Sequence, residues 1–294
     1  MLKGSTVALV TPFRNGEVDE KAMGDLVEFH LEKGTNALLP CGCTGEAATL
    51  DHDEQIRTIQ VVIEAAAGRI PVLAGTGSNS TREAIHLTRE AKKLGADAAL
   101  LISPYYNKPT QEGIYQHYKA VAEAVDIPVV LYNVPSRTGK SIEPETVARL
   151  SEIENIVAIK EASGSLDQSS SIASKCDIII LSGDDSLTLP LMSIGAQGVV
   201  SVAANVVPDR VAAMTRAWLE GDPVQAGKIH YELLPLFKAM FIETNPIPVK
   251  TTLAEMGMIA EEFRLPLCRM SEENRSKLLS VISHYQLIKQ QEPH

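Results

Sequence analysis

A lysine that closes a short apolar run is the residue of this sequence with the clearest potential for chemistry. Lys160 follows the run Ile-Val-Ala-Ile at 156–159, which is typical of a strand buried on both faces. Burial disfavours the ammonium form and lowers the pKa of a lysine, and the neutral amine can condense with a ketone to form a Schiff base. For this segment alone, the alternative is a lysine that extends to solvent from the end of a strand.

Tyr132 ends another apolar run, 128–131, and is the second candidate. Its hydroxyl group could pass a proton to or from a reacting amine, although most tyrosines at strand ends simply reach water. If the strands that end in Tyr132 and Lys160 are neighbours, the phenol and the amine point toward one cavity. Whether the two side chains meet therefore depends on the order of the strands that carry them.

Apolar runs and amphipathic segments alternate along most of the chain, with Gly34 and Thr81 as the expected C-cap and N-cap of two helices. The predicted strands are Thr6–Val10, Ala37–Leu39, Pro71–Ala74, Ala98–Ile102, Pro128–Tyr132, Ile156–Lys160, Asp177–Leu181 and Gly198–Val202. The predicted helices between them are Asp19–Lys33, Asp51–Ala67, Thr81–Leu94, Gln111–Ala124, Pro144–Leu150, Leu187–Ile194 and Pro208–Glu220.

This alternation predicts an α/β protein with a parallel sheet, and eight strands close a (β/α)8 TIM barrel. An open, doubly wound sheet is the alternative, which is disfavoured because no Gly-x-Gly-x-x-Gly turn follows the first strand. We therefore expect a catalytic barrel over residues 1–223 and a C-terminal helical extension over 224–294. The helices predicted there are Val224–Phe241, Pro248–Met256 and Ser271–Gln290, followed by a frayed end over 290–294.

The composition argues against several function classes. A formal net charge of -10 disfavours nucleic acid or an anionic membrane as a partner. No apolar segment has the length of a membrane span, and the first residues run directly into a strand-like segment without a signal peptide, so a cytoplasmic location is expected. Cys41, Cys43, Cys176 and Cys268 lack the spacing of a zinc site and fit reduced thiols. No metal is expected.

In a barrel of this type the active site lies at the C-terminal ends of the strands. The segments at those ends are Thr11-Pro12, Cys41–Glu46, Gly75–Gly77, Ser103–Asn107, Tyr132–Pro135, Lys160, Ser182–Asp185 and Ser201. They are rich in hydroxyl groups and include one amine, without a histidine or carboxylate cluster suited to a metal, which indicates amine and phenol chemistry. Taken alone, Asp184 and Asp185 would be read as a helix cap and a first-turn acid.

Several of these segments carry a family resemblance. They are Gly-x-Thr-Gly-Glu at 42–46, Tyr-Tyr-Asn-Lys-Pro at 105–109, Tyr-Asn-Val-Pro-x-Arg-Thr-Gly at 132–139, Lys-Glu-Ala-Ser-Gly at 160–164 and Ser-Gly-Asp-Asp at 182–185. In this order they resemble the 4-hydroxy-tetrahydrodipicolinate (dihydrodipicolinate) synthases, which belong to the pyruvate-dependent class I aldolase group with N-acetylneuraminate lyase. The resemblance runs from Gly4 to Lys250, essentially the whole chain.

The resemblance implies a role for each matching residue. Lys160 would form the Schiff base with pyruvate, and Tyr132 would donate and accept protons during imine formation and cyclisation. Thr44 would hold the pyruvate carboxylate, while Val200, through its backbone, and Gly183 would add substrate contacts. No organic cofactor is implied, because the imine itself is the electron sink.

Arg137 matches the arginine that receives the carboxylate of the second substrate, L-aspartate 4-semialdehyde. A guanidinium group suits this task because it can bind a carboxylate through two parallel hydrogen bonds. The alternative is a solvated loop arginine. Sugar-acid aldolases of the same group usually lack an arginine at this position, so Arg137 favours the synthases over them.

The sequence departs from the family pattern at Cys43, where the synthases carry a threonine. In the family, a tyrosine that matches Tyr106 reaches into the active site of a neighbouring subunit and connects with the catalytic tyrosine through that threonine. A homotetramer is therefore implied. A thiol is larger than a hydroxyl group and a weaker donor and acceptor, so we expect a poorer relay between Tyr132 and Tyr106 and a slower synthase.

A second site for the end product L-lysine is also implied by the resemblance. The matching positions are Ala48, His52, Asn79, Glu83 and Tyr105. Glu83 would balance the lysine side chain and Asn79 would bond its carboxylate. The alternative is that His52 and Glu83 are ordinary residues of helix surfaces. Gln55 stands where lysine-sensitive members often carry histidine, so weakened inhibition is expected.

Together these observations predict a homotetrameric lyase that joins pyruvate to L-aspartate 4-semialdehyde in lysine (diaminopimelate) biosynthesis. One alternative is an aldolase for sialic acid or a 2-keto-3-deoxy sugar acid, which Arg137 and the Tyr105-Tyr106 pair disfavour. The other is a non-catalytic barrel that senses a keto acid, with Cys43 marking a decayed relay. The presence of Lys160, Tyr132, Thr44 and Arg137 together disfavours that alternative.

Overall fold

The computed structural model describes residues 2–287 and contains a barrel of eight parallel strands. In chain order these strands are β1 (Gly4–Ala8), β2 (Ala37–Leu39), β3 (Leu73–Gly75), β4 (Ala98–Ile102), β5 (Val129–Asn133), β6 (Ile156–Glu161), β7 (Ile179–Ser182) and β8 (Gly198–Ser201). Each strand pairs with its neighbour in the chain, and β8 pairs with β1. A parallel bridge between Leu38 and Val72 joins β2 to β3 and closes the ring.

Helices surround the barrel, and the helices that follow residue 223 in the chain pack against part of it. They are α1 (Glu20–Glu32), α2 (His52–Ala66), α3 (Thr81–Leu94), α4 (Gln111–Ala124), α5 (Pro135–Thr138), α6 (Pro144–Ser151), α7 (Leu166–Ala173), α8 (Thr188–Ser193), α9 (Pro208–Leu219), α10 (Pro223–Ala239), α11 (Ile247–Glu255) and α12 (Glu272–Ser283). A short hairpin, Phe13–Arg14 with Glu17–Val18, follows β1. In the described part of the chain, no helix combines the length and the apolar character needed to cross a bilayer.

The predicted (β/α)8 barrel with a C-terminal helical part is confirmed. The limits of β2, β4, α3 and α4 are those expected from the sequence, because their apolar periodicity and flanking polar residues are clear. Helix α2 begins with a capping box, in which the Asp51 carboxylate accepts a hydrogen bond from the Glu54 N–H and the Glu54 carboxylate accepts one from the Asp51 N–H.

Three expectations about helices are corrected. Helix α7 was not predicted, because it is short and its three consecutive serines do not show an apolar stripe. Thr81 is the first residue of α3 rather than its N-cap, and its hydroxyl bonds with the His117 ring instead. Helix α12 ends at Ser283, earlier than predicted; the predicted end at Gln290 and the frayed end over 290–294 lie outside the described residues.

The apolar core has two layers. Side chains such as Leu39, Leu100 and Val130 fill the inside of the barrel, and a second layer packs between the barrel wall and the surrounding helices. Helices α10, α11 and α12 share their part of this second layer with α1 and α9. The C-terminal helices are therefore packed onto the barrel as part of one continuous core.

A fully buried ion pair joins the barrel to α11. Lys250 bonds to Glu46, which follows β2, and both side chains are completely inaccessible to solvent. The Lys250 amine also lies 4.3 Å from the ring centre of Phe13 and 5.1 Å from that of Phe263. Because a buried charge is costly without its partner, this contact fixes the start of α11 relative to the loop after β2.

Candidate active site

The strand register brings Lys160 and Tyr132 together. Residues 132 and 160 are directly paired across β5 and β6, each near the C-terminal end of its strand. The Lys160 Nζ atom lies 4.2 Å from the centre of the Tyr132 ring. Both side chains are buried. The convergence expected from neighbouring strands is thus present as a direct contact.

Burial sets the protonation behaviour of this pair. It lowers the pKa of Lys160 to about 8; the Arg137 charge also lowers this pKa, whereas Cys43 and Asp185 raise it. Burial raises the pKa of Tyr132 well above its usual value, and Cys43 raises it further, by its charge and by hydrogen bonding. A substantial fraction of the amine is therefore neutral near neutral pH, while the phenol keeps its proton.

A cavity of about 420 Å³ is lined by Cys43, Tyr132 and Arg137, among other residues. Lys160 contacts the Tyr132 ring but is not among the residues that line this cavity. Thr44 and Val200 are buried nearby in the structure, on the loop after β2 and on β8. In residues 2–287 no group of three or more His, Cys, Asp or Glu side chains is arranged to hold a metal ion.

Gly183 lies directly against Lys160. A methyl group placed on Gly183 would lie 3.1 Å from the Lys160 Cε atom and 2.6 Å from the Cβ atom of Ala162. Real side chains do not tolerate the second distance, so Gly183 has no space for a larger residue. The absence of a side chain here preserves the space around the amine.

Asp185 is a site residue whose function the sequence analysis did not identify. It is buried, and its carboxylate accepts hydrogen bonds from the Ser201 hydroxyl and from the Val202 and Ala203 N–H groups. Burial raises its pKa to about 6, although these hydrogen bonds lower it. Its negative charge is among the influences that raise the pKa of Lys160. Asp184, in contrast, caps the following turn, as expected for an isolated acid.

Thr44 and Arg137 are connected through Asn245, which precedes α11. The Asn245 side-chain amide donates to the Thr44 hydroxyl oxygen at 3.0 Å, and the Arg137 guanidinium donates to the Asn245 carbonyl oxygen at 3.0 Å. Asn245 is itself buried and lines the cavity. The sequence analysis gave Asn245 no role, since no local pattern signals a contact to a residue 201 positions away.

Tyr106 does not take part in the site of a single chain. Its side chain is 88% exposed and does not line the cavity, and its backbone has a φ of +70°, which is uncommon for a residue with a side chain. An aromatic side chain this exposed is unusual for the surface of an isolated subunit. The predicted relay from Tyr132 to Tyr106 is thus not formed within one chain.

The residues predicted to bind lysine lie mostly on the same cavity. Those that line it are Ala48, His52, Glu83 and Tyr105. Asn79 does not line it but donates its side-chain amide to the Tyr105 carbonyl at 3.2 Å. Glu83 accepts a hydrogen bond from the Ser78 hydroxyl at 2.8 Å. Gln55 is buried and donates its amide to the Gly75 carbonyl at 2.9 Å, so this donor is already used.

Comparison with known proteins agrees with this geometry. The model of the dihydrodipicolinate synthetase family matches residues 1–285. The 4-hydroxy-tetrahydrodipicolinate synthase of Pelobacter propionicus is 57% identical over 290 residues, which cover 98% of this chain and 100% of that protein. The chain belongs to the dihydrodipicolinate synthetase family. The expected resemblance is confirmed over the length that the motifs indicated.

Solved structures of dihydrodipicolinate synthases share the fold of this family member. The synthase of Acinetobacter baumannii, in a pyruvate complex, is 47% identical with a TM-score of 0.96, covering 98% of this chain and 100% of that one. The enzyme of Cyanidioschyzon merolae with lysine bound is 41% identical with a TM-score of 0.95, covering 98% and 99% of the two chains.

Imine formation with pyruvate should follow the neutral fraction of Lys160. As pH rises through the pKa of about 8, the ammonium loses its proton, so the rate of adduct formation should rise and then level off above roughly pH 9. Reduction of the adduct with borohydride, followed by mass spectrometry, measures this rate. A midpoint near 10.5, the ordinary value, would contradict the effect of burial.

The Asp185→Asn variant offers a matched test of the same pKa. Removing this charge removes an influence that raises the pKa of Lys160, so the midpoint should move to lower pH. Asp184→Asn is the control, because Asp184 is not among the groups that shift this pKa.

Proposed function

We propose that this family member is a 4-hydroxy-tetrahydrodipicolinate synthase, which condenses pyruvate with L-aspartate 4-semialdehyde in lysine (diaminopimelate) biosynthesis. The observation that carries the proposal is the buried Lys160 amine in contact with the Tyr132 ring, beside a cavity that Arg137 lines. The 57% identity to a synthase of that name over nearly the whole chain supports the same reaction.

In the proposed reaction, the neutral Lys160 amine attacks the C2 carbonyl of pyruvate, and loss of water gives an imine. Loss of a proton from C3 gives an enamine, which forms a carbon–carbon bond with the aldehyde carbon of the second substrate. The amino group of that substrate then attacks the imine carbon, closes the ring and releases Lys160. One water leaves overall, and no electrons are exchanged with another molecule. Tyr132 donates and accepts the protons.

The two substrate carboxylates have separate proposed partners. Thr44 donates its hydroxyl to the pyruvate carboxylate, with Val200 and Gly183 completing the binding site around the imine. Arg137 binds the carboxylate of L-aspartate 4-semialdehyde. In support, the Thr44 hydroxyl and the Arg137 guanidinium are both held by Asn245, and Arg137 lines the open cavity, where a second substrate can arrive.

We further propose a homotetramer in which Tyr106 of one subunit enters the active site of the next. The 88% exposure of Tyr106 supports a partner surface at this residue. In that assembly the proton path would run from Tyr132 through Cys43 to Tyr106 of the neighbouring subunit. Sedimentation of the purified protein at the mass of a single chain would contradict the assembly.

L-lysine is proposed as a weak inhibitor at the part of the cavity lined by His52, Glu83 and Tyr105. Glu83 supplies a negative charge for the lysine side chain. Gln55 also lines this cavity, but one of its amide N–H groups is committed to the Gly75 carbonyl, so only part of its hydrogen-bonding capacity is left for a ligand. The solved synthase of Cyanidioschyzon merolae with lysine bound supports a lysine site in the family.

We also propose a domain division and a cellular location. We assign residues 1–223 to the catalytic barrel and residues 224–294 to a C-terminal region, whose described part, up to residue 287, is mostly helical and supplies Asn245 and Lys250 to the barrel. The enzyme acts in the cytoplasm, where Cys41, Cys43 and the other cysteines stay reduced, in agreement with the free thiols of the structure.

The first test of the proposed function is turnover of pyruvate with L-aspartate 4-semialdehyde, coupled to a reductase that oxidises a nicotinamide. The unmodified chain should be active, and Lys160→Ala should fall to background because no other amine is in place to form the imine. Lys21→Ala, an exposed lysine on α1, is the control and should keep full activity. Trapping of pyruvate on Lys160 without turnover would instead indicate a sugar-acid aldolase.

Replacing Cys43 with threonine should raise or preserve turnover. A hydroxyl is a stronger donor and acceptor than a thiol, so a gain of about two- to tenfold in kcat is expected, with little change in the KM of pyruvate. Steady-state kinetics of Cys43→Thr and Cys43→Ala measure the difference. A collapse of activity in Cys43→Thr would show that the thiol is not a substitute for the hydroxyl of a simple relay.

Lysine added to the coupled assay should inhibit only at millimolar concentration. Glu83→Gln should weaken this inhibition further, because it removes the charge that would balance the lysine ammonium. Glu90→Gln, which removes an exposed charge from the same helix, is the control. Absence of inhibition at millimolar lysine would remove the proposed regulatory site.

A further inference from the structure

One residue of the C-terminal region contacts both proposed carboxylate-binding groups. The Asn245 Nδ2 atom donates to the Thr44 Oγ1 atom, and the backbone carbonyl of Asn245 accepts from the Arg137 Nη2 atom, both at 3.0 Å. Asn245 and Thr44 are each more than nine-tenths buried, so their bond is protected from water. Groups from the loop after β2 and from α5 are thereby held by a single residue that belongs to neither segment.

The direction of the bond to Thr44 has a chemical consequence. A threonine hydroxyl has one proton to donate and two lone pairs that can accept. Because the Asn245 amide occupies a lone pair, the proton of Thr44 remains free to be donated elsewhere. A carboxylate only accepts hydrogen bonds, so a threonine in this state is a suitable partner for the carboxylate of pyruvate.

The bond to Arg137 also leaves hydrogen-bond donors free for a ligand. A guanidinium group carries five N–H donors, and the Asn245 carbonyl uses one of them. Arg137 is otherwise exposed at the cavity wall, and its remaining donors can bind a second carboxylate. A long exposed side chain loses conformational entropy when it binds a ligand, and prior orientation reduces that loss.

The segment that carries Asn245 is itself anchored to the loop that carries Thr44. Five residues beyond Asn245, Lys250 forms the fully buried ion pair with Glu46, two residues beyond Thr44. Glu46 has a backbone φ of +53°, a conformation that is unfavourable for a residue with a side chain and persists only where the surroundings hold it. The two segments are thus joined at both ends, which gives the Asn245–Thr44 bond a fixed geometry.

We propose that Asn245 is a positioning residue that orients Thr44 toward pyruvate and Arg137 toward the second substrate. This inference rests on the proposed function and adds to it a residue outside the barrel that sets the affinity for both carboxylates. Asn245 takes no part in proton transfer or bond formation. Its replacement should therefore act on KM more than on kcat, and chiefly on the KM of pyruvate, because the bond to Arg137 uses the backbone carbonyl that every substitution keeps.

Two variants of Asn245 separate this role from simple packing. Asn245→Ala removes the amide donor, so the Thr44 hydroxyl is free to rotate, and the KM of pyruvate should rise by about tenfold. Asn245→Asp keeps the shape but replaces the donor with a charged acceptor. It would take the Thr44 proton, compete for Arg137 and repel both substrates, so the KM of each should rise more than in Asn245→Ala. A purely structural role would make the isosteric Asp the milder change.

The experiment measures steady-state kinetics for both substrates, together with the pyruvate concentration that half-saturates borohydride trapping on Lys160. Trapping does not need the second substrate and reports the Thr44 contact alone. Asn274→Ala is the control: this asparagine of α12 also donates its amide to a side chain, that of Glu243, and it does not line the cavity. Thermal unfolding of each variant is recorded in parallel.

The expected result is a larger KM effect for Asp than for Ala, a matching shift in half-saturation, and values for Asn274→Ala equal to those of the unmodified chain. If Asn245→Ala does not fold, the test rests on the KM values of Asn245→Asp compared with those of the unmodified chain. Unchanged KM values in a folded Asn245 variant, with normal turnover of the unmodified chain, would overturn this inference and leave the proposed function intact. Failure of the unmodified chain to trap pyruvate would overturn both.

Discussion

The cost of burying a charged amine is the constraint on which the rest of the site depends. Lys160 lies at the end of a strand that is enclosed on both faces, and burial lowers its pKa to about 8. Within residues 2–287, no carboxylate forms an ion pair with the amine, which would restore the charge. Instead an aromatic ring covers it, and the Asp185 carboxylate is occupied by hydrogen bonds from Ser201 at the end of β8 and from the Ala203 N–H that follows. The lowered pKa of Lys160 therefore results from the surroundings of the amine.

The closed barrel places other functional groups beside this buried amine. Parallel strands in register place residue 132 beside residue 160, so the phenol meets the amine without any special loop. The proposed binding groups are placed differently. Thr44 lies on the loop after β2 and Arg137 on the short helix α5, so neither is part of the sheet. Contacts from the C-terminal helical region, through Asn245 and Lys250, hold these segments. Strands thus position the reacting groups, while inter-segment contacts position the binding groups.

The barrel and the reacting pair were predictable because both depend on repetition. Buried strands give continuous apolar runs, and residues at the ends of adjacent parallel strands are near each other. Helix α7 was not predictable, since three consecutive serines hide its periodicity. The links through Asn245 were not predictable either, because no local pattern encodes a contact between distant loops. The 88% exposure of Tyr106 could not be read from the residue pattern either, because no local pattern separates an exposed tyrosine from a buried one.

The ion pair between Glu46 and Lys250 also bears on how such a protein can be recombined. A division after residue 223 suggests two exchangeable modules. However, Glu46 lies before this division and Lys250 after it, and both charged side chains are inaccessible to water. Removing the second module would leave a carboxylate buried without a counter-charge. A graft from a relative would have to bring a cation to the same position and an amide beside Thr44. In any chimera, the C-terminal helices would therefore have to be exchanged together with the loop after β2 that they contact.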